Sequence, residues 1–90
     1  MTQPIPNYWQ LRQELNRSIN RNIYLYELQI ELKNCIRAAT TDAGREDFNR
    51  EWQKAGLERD ALARRAEDLR LSIRQIPFRE KVKSIFTRRS

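Results

Sequence analysis

Side chains able to do chemistry are scarce in this chain, and the scarcity is informative. There is no histidine and a single cysteine, Cys35. Without imidazole there is no Ser-His-Asp triad, no Cys-His pair and no histidine metal site. One thiol makes neither an internal disulfide nor a thiolate zinc centre. Cys35 stands in Lys33-Asn34-Cys35-Ile36, and it reads as a small buried hydrophobe: no histidine or helix N-terminus is at hand to activate it. The carboxylates are interleaved with Arg and Lys and form no isolated pair suited to general acid–base work. The expectation is a non-enzymatic protein with no cofactor and no bound metal, and its cysteine usage fits a reducing, cytoplasmic setting.

The chemistry that remains is electrostatic. Eighteen Lys+Arg stand against twelve Asp+Glu in 90 residues, a net charge of +6. Residues 1–21 and 70–90 hold ten basic side chains, Arg12, Arg17, Arg21, Arg70, Arg74, Arg79, Lys81, Lys83, Arg88 and Arg89, against Glu14 and Glu80, which leaves +8. Residues 22–69 hold eight basic and ten acidic side chains, which leaves −2. Eight of the ten clustered cations are arginines, whose planar fork suits phosphate and carboxylate. Tyr8, Trp9, Phe78 and Phe86 share that part of the sequence. No helix-turn-helix, zinc-finger, homeodomain or RNP pattern accompanies them, so any nucleic-acid binding is expected to be backbone-directed and salt-sensitive.

Whether the charge is gathered in space depends on the elements that carry it. Pro4 and Pro6 keep the first six residues extended; the next proline is Pro77, and only Gly44 and Gly56 lie between. So few breakers among Leu, Ala, Arg, Glu and Gln predict helix. Helix 1 is expected over 7–40, with Asn7 as N-cap and Gln10 completing a capping-box pattern. A turn follows at 41–44, a second helix at 45–76 whose first turn begins as early as Asp42 or Gly44, and a short basic amphipathic helix at 77–88 that Pro77 opens. The whole chain reads as a single small helical domain.

Helix 2 carries the clearest pattern. Phe48, Trp52, Ala55, Arg59, Leu62, Ala66, Leu69, Ile73 and Ile76 alternate steps of four and three, a heptad seam with one charged member. Tyr8, Leu11, Leu15, Ser18, Asn22, Leu25, Gln29, Leu32, Ile36 and Ala39 form the matching seam on helix 1. Folding at residue 43 sets Ile36 opposite Phe48 and Trp52, Leu25 near Leu62, Leu15 near Ile73 and Leu11 near Ile76. Arg59 then lies near Leu28, Gln29 and Glu27 and is expected to snorkel outward to a carboxylate. Ala55-Gly56 is expected to mark the close approach of a neighbouring helix or of a bulky ring, Tyr24 or Tyr26, with a kink as the alternative. The predicted fold class is all-α: an antiparallel, coiled-coil-like hairpin of ~50 Å with a short third helix.

Helix 1 is apolar beyond that seam. Ile19, Ile23, Tyr26 and Ile30 lie on a second stripe that one partner helix cannot cover. Phe78, Val82, Ile85 and Phe86 on the third helix are spaced to fold back over Leu11 and Leu15, but a helix of ~11 residues is too short to reach Ile30. The stripe therefore predicts self-association into a helical bundle, or a partner helix, through Ile19, Ile23, Tyr26 and Ile30. The function expected is that of a small basic interaction or adaptor protein whose open end engages an acidic partner or assembly. Non-specific RNA or DNA binding is the alternative. A membrane-surface role comes third, since no apolar run of ~20 residues is present and the amphipathic tail is short.

Overall fold

Two long helices joined by a three-residue link make up most of the molecule. The computed structural model describes residues 8–89, with side chains described as far as Lys83. Helix α1 spans Tyr8–Ala38, α2 spans Asp42–Gln75 and α3 spans Phe78–Arg89. The first two pack along each other as an antiparallel hairpin, and α3 lies against α1. No strand occurs among the described residues. The molecule measures 59 × 27 × 21 Å. The expected extended segment 1–6 and the Asn7 cap lie outside the described residues.

The helix ends have local causes. Thr41, extended at φ −122° and ψ 152°, caps α2: its hydroxyl accepts the Gly44 N–H at 3.1 Å. This satisfies one of the unpaired donors of the first turn. A Cβ on Gly44 would lie 3.0 Å from that hydroxyl, so glycine gives the cap room. Capping by Thr41 starts α2 at Asp42, the earliest of the expected starts, and α1 stops at Ala38 rather than at 40. At the far end Ile76 is extended, at φ −74° and ψ 125°, as a residue before proline prefers. The Pro77 carbonyl then accepts from Glu80 and Lys81 and opens α3.

The tighter turn changes the register. Cross-helix partners lie symmetrically about residue 40: Arg21 with Glu58, Asn22 with Arg59, Gln29 with Trp52 and Glu14 with Arg65. The sequence reading centred the fold at residue 43, which pairs the helices one heptad away. A slip of seven residues maps one heptad seam onto itself, so both registers bury apolar positions. The core shows the register adopted. Leu11, Leu15, Ala66 and Leu69 form one buried cluster, with Ile19, Ile73 and Ile76 packed around it. Leu25 and Leu69, each 2% exposed, are the most enclosed large side chains. Phe48, expected in the seam, instead stands 36% exposed near the turn.

What distinguishes the two registers is polar. Arg59 does not snorkel to a carboxylate. Its Nε donates to Asn22 Oδ1 at 2.8 Å and an Nη to Gln29 Oε1 at 2.8 Å, and its guanidinium lies 4.9 Å from the centre of the Tyr26 ring. Gln29, 9% exposed, uses its amide N–H to reach the Trp52 carbonyl of α2 at 3.1 Å. Gly56 makes this approach possible, since a Cβ there would lie 3.2 Å from Gln29 Nε2. Of the expected neighbours at Gly56 it is thus the neighbouring helix that comes close, through an amide and not through a tyrosine ring. The layer leaves no described buried side-chain N or O without a partner. One heptad away, Arg59 still meets Gln29, but Asn22 faces Ala66 and loses its partner. Leaving a buried polar group unpaired costs about 1–3 kcal/mol.

The layer should therefore set register more than stability. We expect the combined variant Asn22→Leu/Gln29→Leu/Arg59→Leu to keep its helicity by circular dichroism. Spin labels at Glu31 and Glu51 (with Cys35→Ser) should then report two distance populations in place of one, offset along the rod by ~10 Å, the rise of one heptad.

Candidate interaction surfaces

The two sides of the interhelical seam are finished differently. On one side it is closed by cross-helix ion pairs. Arg21 binds Glu58 through two bonds of 3.2 Å, and Arg65 binds Glu14 with Nε donating at 2.9 Å and an Nη also engaged. These side chains are about half exposed, so each pair is worth at most about 1 kcal/mol. Their positions still cover that edge of the core with side chains anchored on both helices. The remaining described ion pairs run along α2, between Arg45 and Asp42, Arg50 and Asp47, Lys54 and Glu51, and Arg70 and Glu67.

On the other side the seam is open. Two adjoining depressions of about 360 and 680 Å³ run along it, and both reach Asn22, Arg59 and Ala63. The α1 wall of the first is built from Ile19, Ile23 and Tyr26; the α2 wall of the second is built from Gly56, Leu57 and Asp60. None of the residues in the two cross-helix ion pairs lines either depression. Ile23, Tyr26 and Ile30 are 53%, 51% and 47% exposed, and Leu57 on the facing rim is 72% exposed. Ile19 has a double position: it lines the groove and also packs on the Leu11–Leu69 cluster, so part of its surface is already covered within the hairpin. Arg59 forms the groove floor with no ion pair among the described residues.

The basic residues of the open end divide into groups. Arg12, Arg17, Arg74 and Arg79 are exposed and make no ion pair among the described residues. Arg21 is held by Glu58 and also stacks 5.2 Å from the Tyr24 ring, so it is a hairpin clasp as much as a free cation. Arg70 sits 3.8 Å from Glu67 and lines the groove. Lys81 is half-buried and Lys83 exposed on α3. Arg88 and Arg89 extend α3, but their side chains lie outside the described part, as do those of Ile85 and Phe86. Phe78 corrects the expected packing of α3: it is 78% exposed, turned away from the hairpin, while Val82 is half-buried.

Two features of this surface were missed in the sequence: the asymmetry between its sides and the partnering of Arg59 with amides. Cross-helix ion pairs have no periodic signature, because they depend on which register is adopted. No described helix is long and apolar enough to cross a membrane. No protein-family model matches the chain, and comparisons with curated proteins and with solved structures gave no significant match.

The division among the arginines is measurable. Arg74→Glu and Arg79→Glu should each leave urea stability within about 0.5 kcal/mol of the parent, as expected for an exposed site without partners. Arg21→Glu sets two carboxylates against each other across the seam and should lower stability by about 1 kcal/mol. Denaturation followed by circular dichroism distinguishes the two cases.

Proposed function

We propose that this chain is a non-enzymatic helical interaction protein that self-associates through the open side of its hairpin and uses its basic end to engage an anionic partner. The observation that carries the reading is the unequal finish of the seam: ion pairs close one side, and half-exposed Ile23 and Tyr26 line a groove on the other, with half-exposed Ile30 continuing their stripe. An apolar strip of this kind on a small helical rod is normally covered by another helix. Covering it removes apolar surface from water at about 25 cal/mol per Å² and needs no rearrangement of the core.

The basic end favours a second reading, nucleic-acid binding, on one observation. Phe78 presents most of its ring to solvent between Arg74 and Arg79 in sequence, both exposed. An exposed ring beside guanidiniums suits a stacked base flanked by phosphates. The same cations suit acidic side chains of a protein, which would give the ring no stacking partner.

Self-association is tested by sedimentation at micromolar concentration. The parent should sediment as a dimer or larger. Ile23→Glu/Ile30→Glu should sediment as a monomer with helicity largely kept. For the basic end, mobility shifts with single-stranded and duplex oligonucleotides at two salt concentrations are the check. Retardation should weaken steeply with salt and be lost in Arg74→Glu/Arg79→Glu. A monomeric parent overturns the first reading, and no retardation at low salt overturns the second.

A further inference from the structure

The open face carries a pattern that specifies how a second copy would sit on it. Helical residues turn 100° each. On α1 the stripe is symmetric about the point between Tyr24 and Leu25: Ile19 mirrors Ile30, and Ile23 mirrors Tyr26. On α2 two pairs of charged residues on and beside the groove side mirror one another about Ala55–Gly56 with opposite sign: Arg45 mirrors Glu67, and Glu46 mirrors Arg64. All four are exposed. The hairpin is symmetric about residue 40, so the point between Tyr24 and Leu25 on α1 lies level with Gly56 on α2. Both mirror patterns thus share one level along the rod, near its middle.

We infer that the partner on the open face is a second copy of this chain, related by a two-fold axis that crosses the rod at the level of Gly56, so that the two hairpins run antiparallel. This rests on the self-association proposed above and adds its geometry. A two-fold interface is self-complementary: if residue i meets residue j, then j meets i. Such an axis sets α1 on the second copy's α1, with Ile19 on Ile30 and Ile23 on Tyr26. It sets α2 on the second copy's α2, with Arg64 facing Glu46 and Glu67 facing Arg45. One match is unfavourable, Arg12 with Arg37, and it falls at the margins, where both guanidiniums reach water.

A parallel arrangement has the opposite electrostatics at long range. It sets two ends of +8 side by side, whereas the antiparallel pair keeps them apart by much of the rod, well beyond the Debye length of ~8 Å. The antiparallel dimer consequently carries a basic end at each extremity. It is bivalent toward anionic partners and able to hold two of them at a fixed spacing.

The test begins with spin labels at Ser72, an exposed position near the open end, in a Cys35→Ser chain. The antiparallel dimer puts the two labels ~50 Å apart along the rod, and a parallel dimer puts them about one bundle width apart, ~20 Å. Charge exchange supplies the second arm. Glu46→Arg alone, and Arg64→Glu alone, should each weaken dimerisation about tenfold, and Glu46→Arg/Arg64→Glu together should restore most of it. A dimer with the short distance overturns the antiparallel axis and leaves self-association standing. Failure of the double exchange to restore a long-distance dimer overturns the pairing. A monomeric parent overturns both the axis and the self-association beneath it.

Discussion

The hairpin depends on one guanidinium held between two amides. Arg59 is the charged member of an otherwise apolar and small seam, and it is satisfied by Asn22 and Gln29 instead of by a carboxylate. Hydrogen bonds from a charged donor are worth about 1.5–3 kcal/mol, so this group is well compensated where it lies. Gln29 completes the layer by reaching the α2 backbone at Trp52, and Gly56 leaves space for it. Three polar side chains and a missing Cβ thus form one unit. Each member fits because the others are in place, which is why the unit selects one register from a seam that tolerates shifts of seven.

That selection propagates outward. With the helices symmetric about residue 40, Glu14 falls beside Arg65 and Arg21 beside Glu58. One heptad away Arg21 would face the Glu67 region and Glu14 the stretch around Ile73. The ion pairs are consequences of register more than causes of it, since half-exposed pairs contribute little energy. Their effect is directional. They close one edge of the seam with charge and leave the apolar residues of α1 gathered on the other. The same Arg59 that fixes the register also floors the groove and lies against the Tyr26 ring. Core, register and candidate interface therefore share a residue.

The parts legible in the sequence are those that depend on periodicity. Two breaker-poor segments, matching heptad seams and a proline at 77 give the hairpin and the short third helix, and the surplus apolar stripe at Ile23, Tyr26 and Ile30 is half exposed as its angular position implies. Register was not legible, because a heptad repeat is unchanged by a shift of one heptad. It is decided by the Thr41 cap and by pairs among long polar side chains. Gly56 marked a close approach correctly, but the approaching group is an amide, chosen by its ability to hydrogen-bond a carbonyl. Phe78 followed the amphipathic spacing of α3 and yet points outward. It is the first residue after Pro77, where the chain changes direction, and a helical wheel does not encode that change.

The charge distribution acquires its meaning from this architecture. A net +6 spread over a globule would mostly promote solubility. Here the hairpin gathers +8 at one end of a rod and leaves the body near neutral, with α2 carrying charges of both signs along its groove side. Mixed charge contributes little to a monomer's stability, yet it discriminates between registers and orientations of a neighbour, because a wrong pairing sets like charges together. The blocked charge of the end does the reverse: it discriminates poorly among anions and repels its own kind over a longer range at low salt. In the antiparallel dimer proposed above, the selective middles meet and the unselective, repulsive ends diverge.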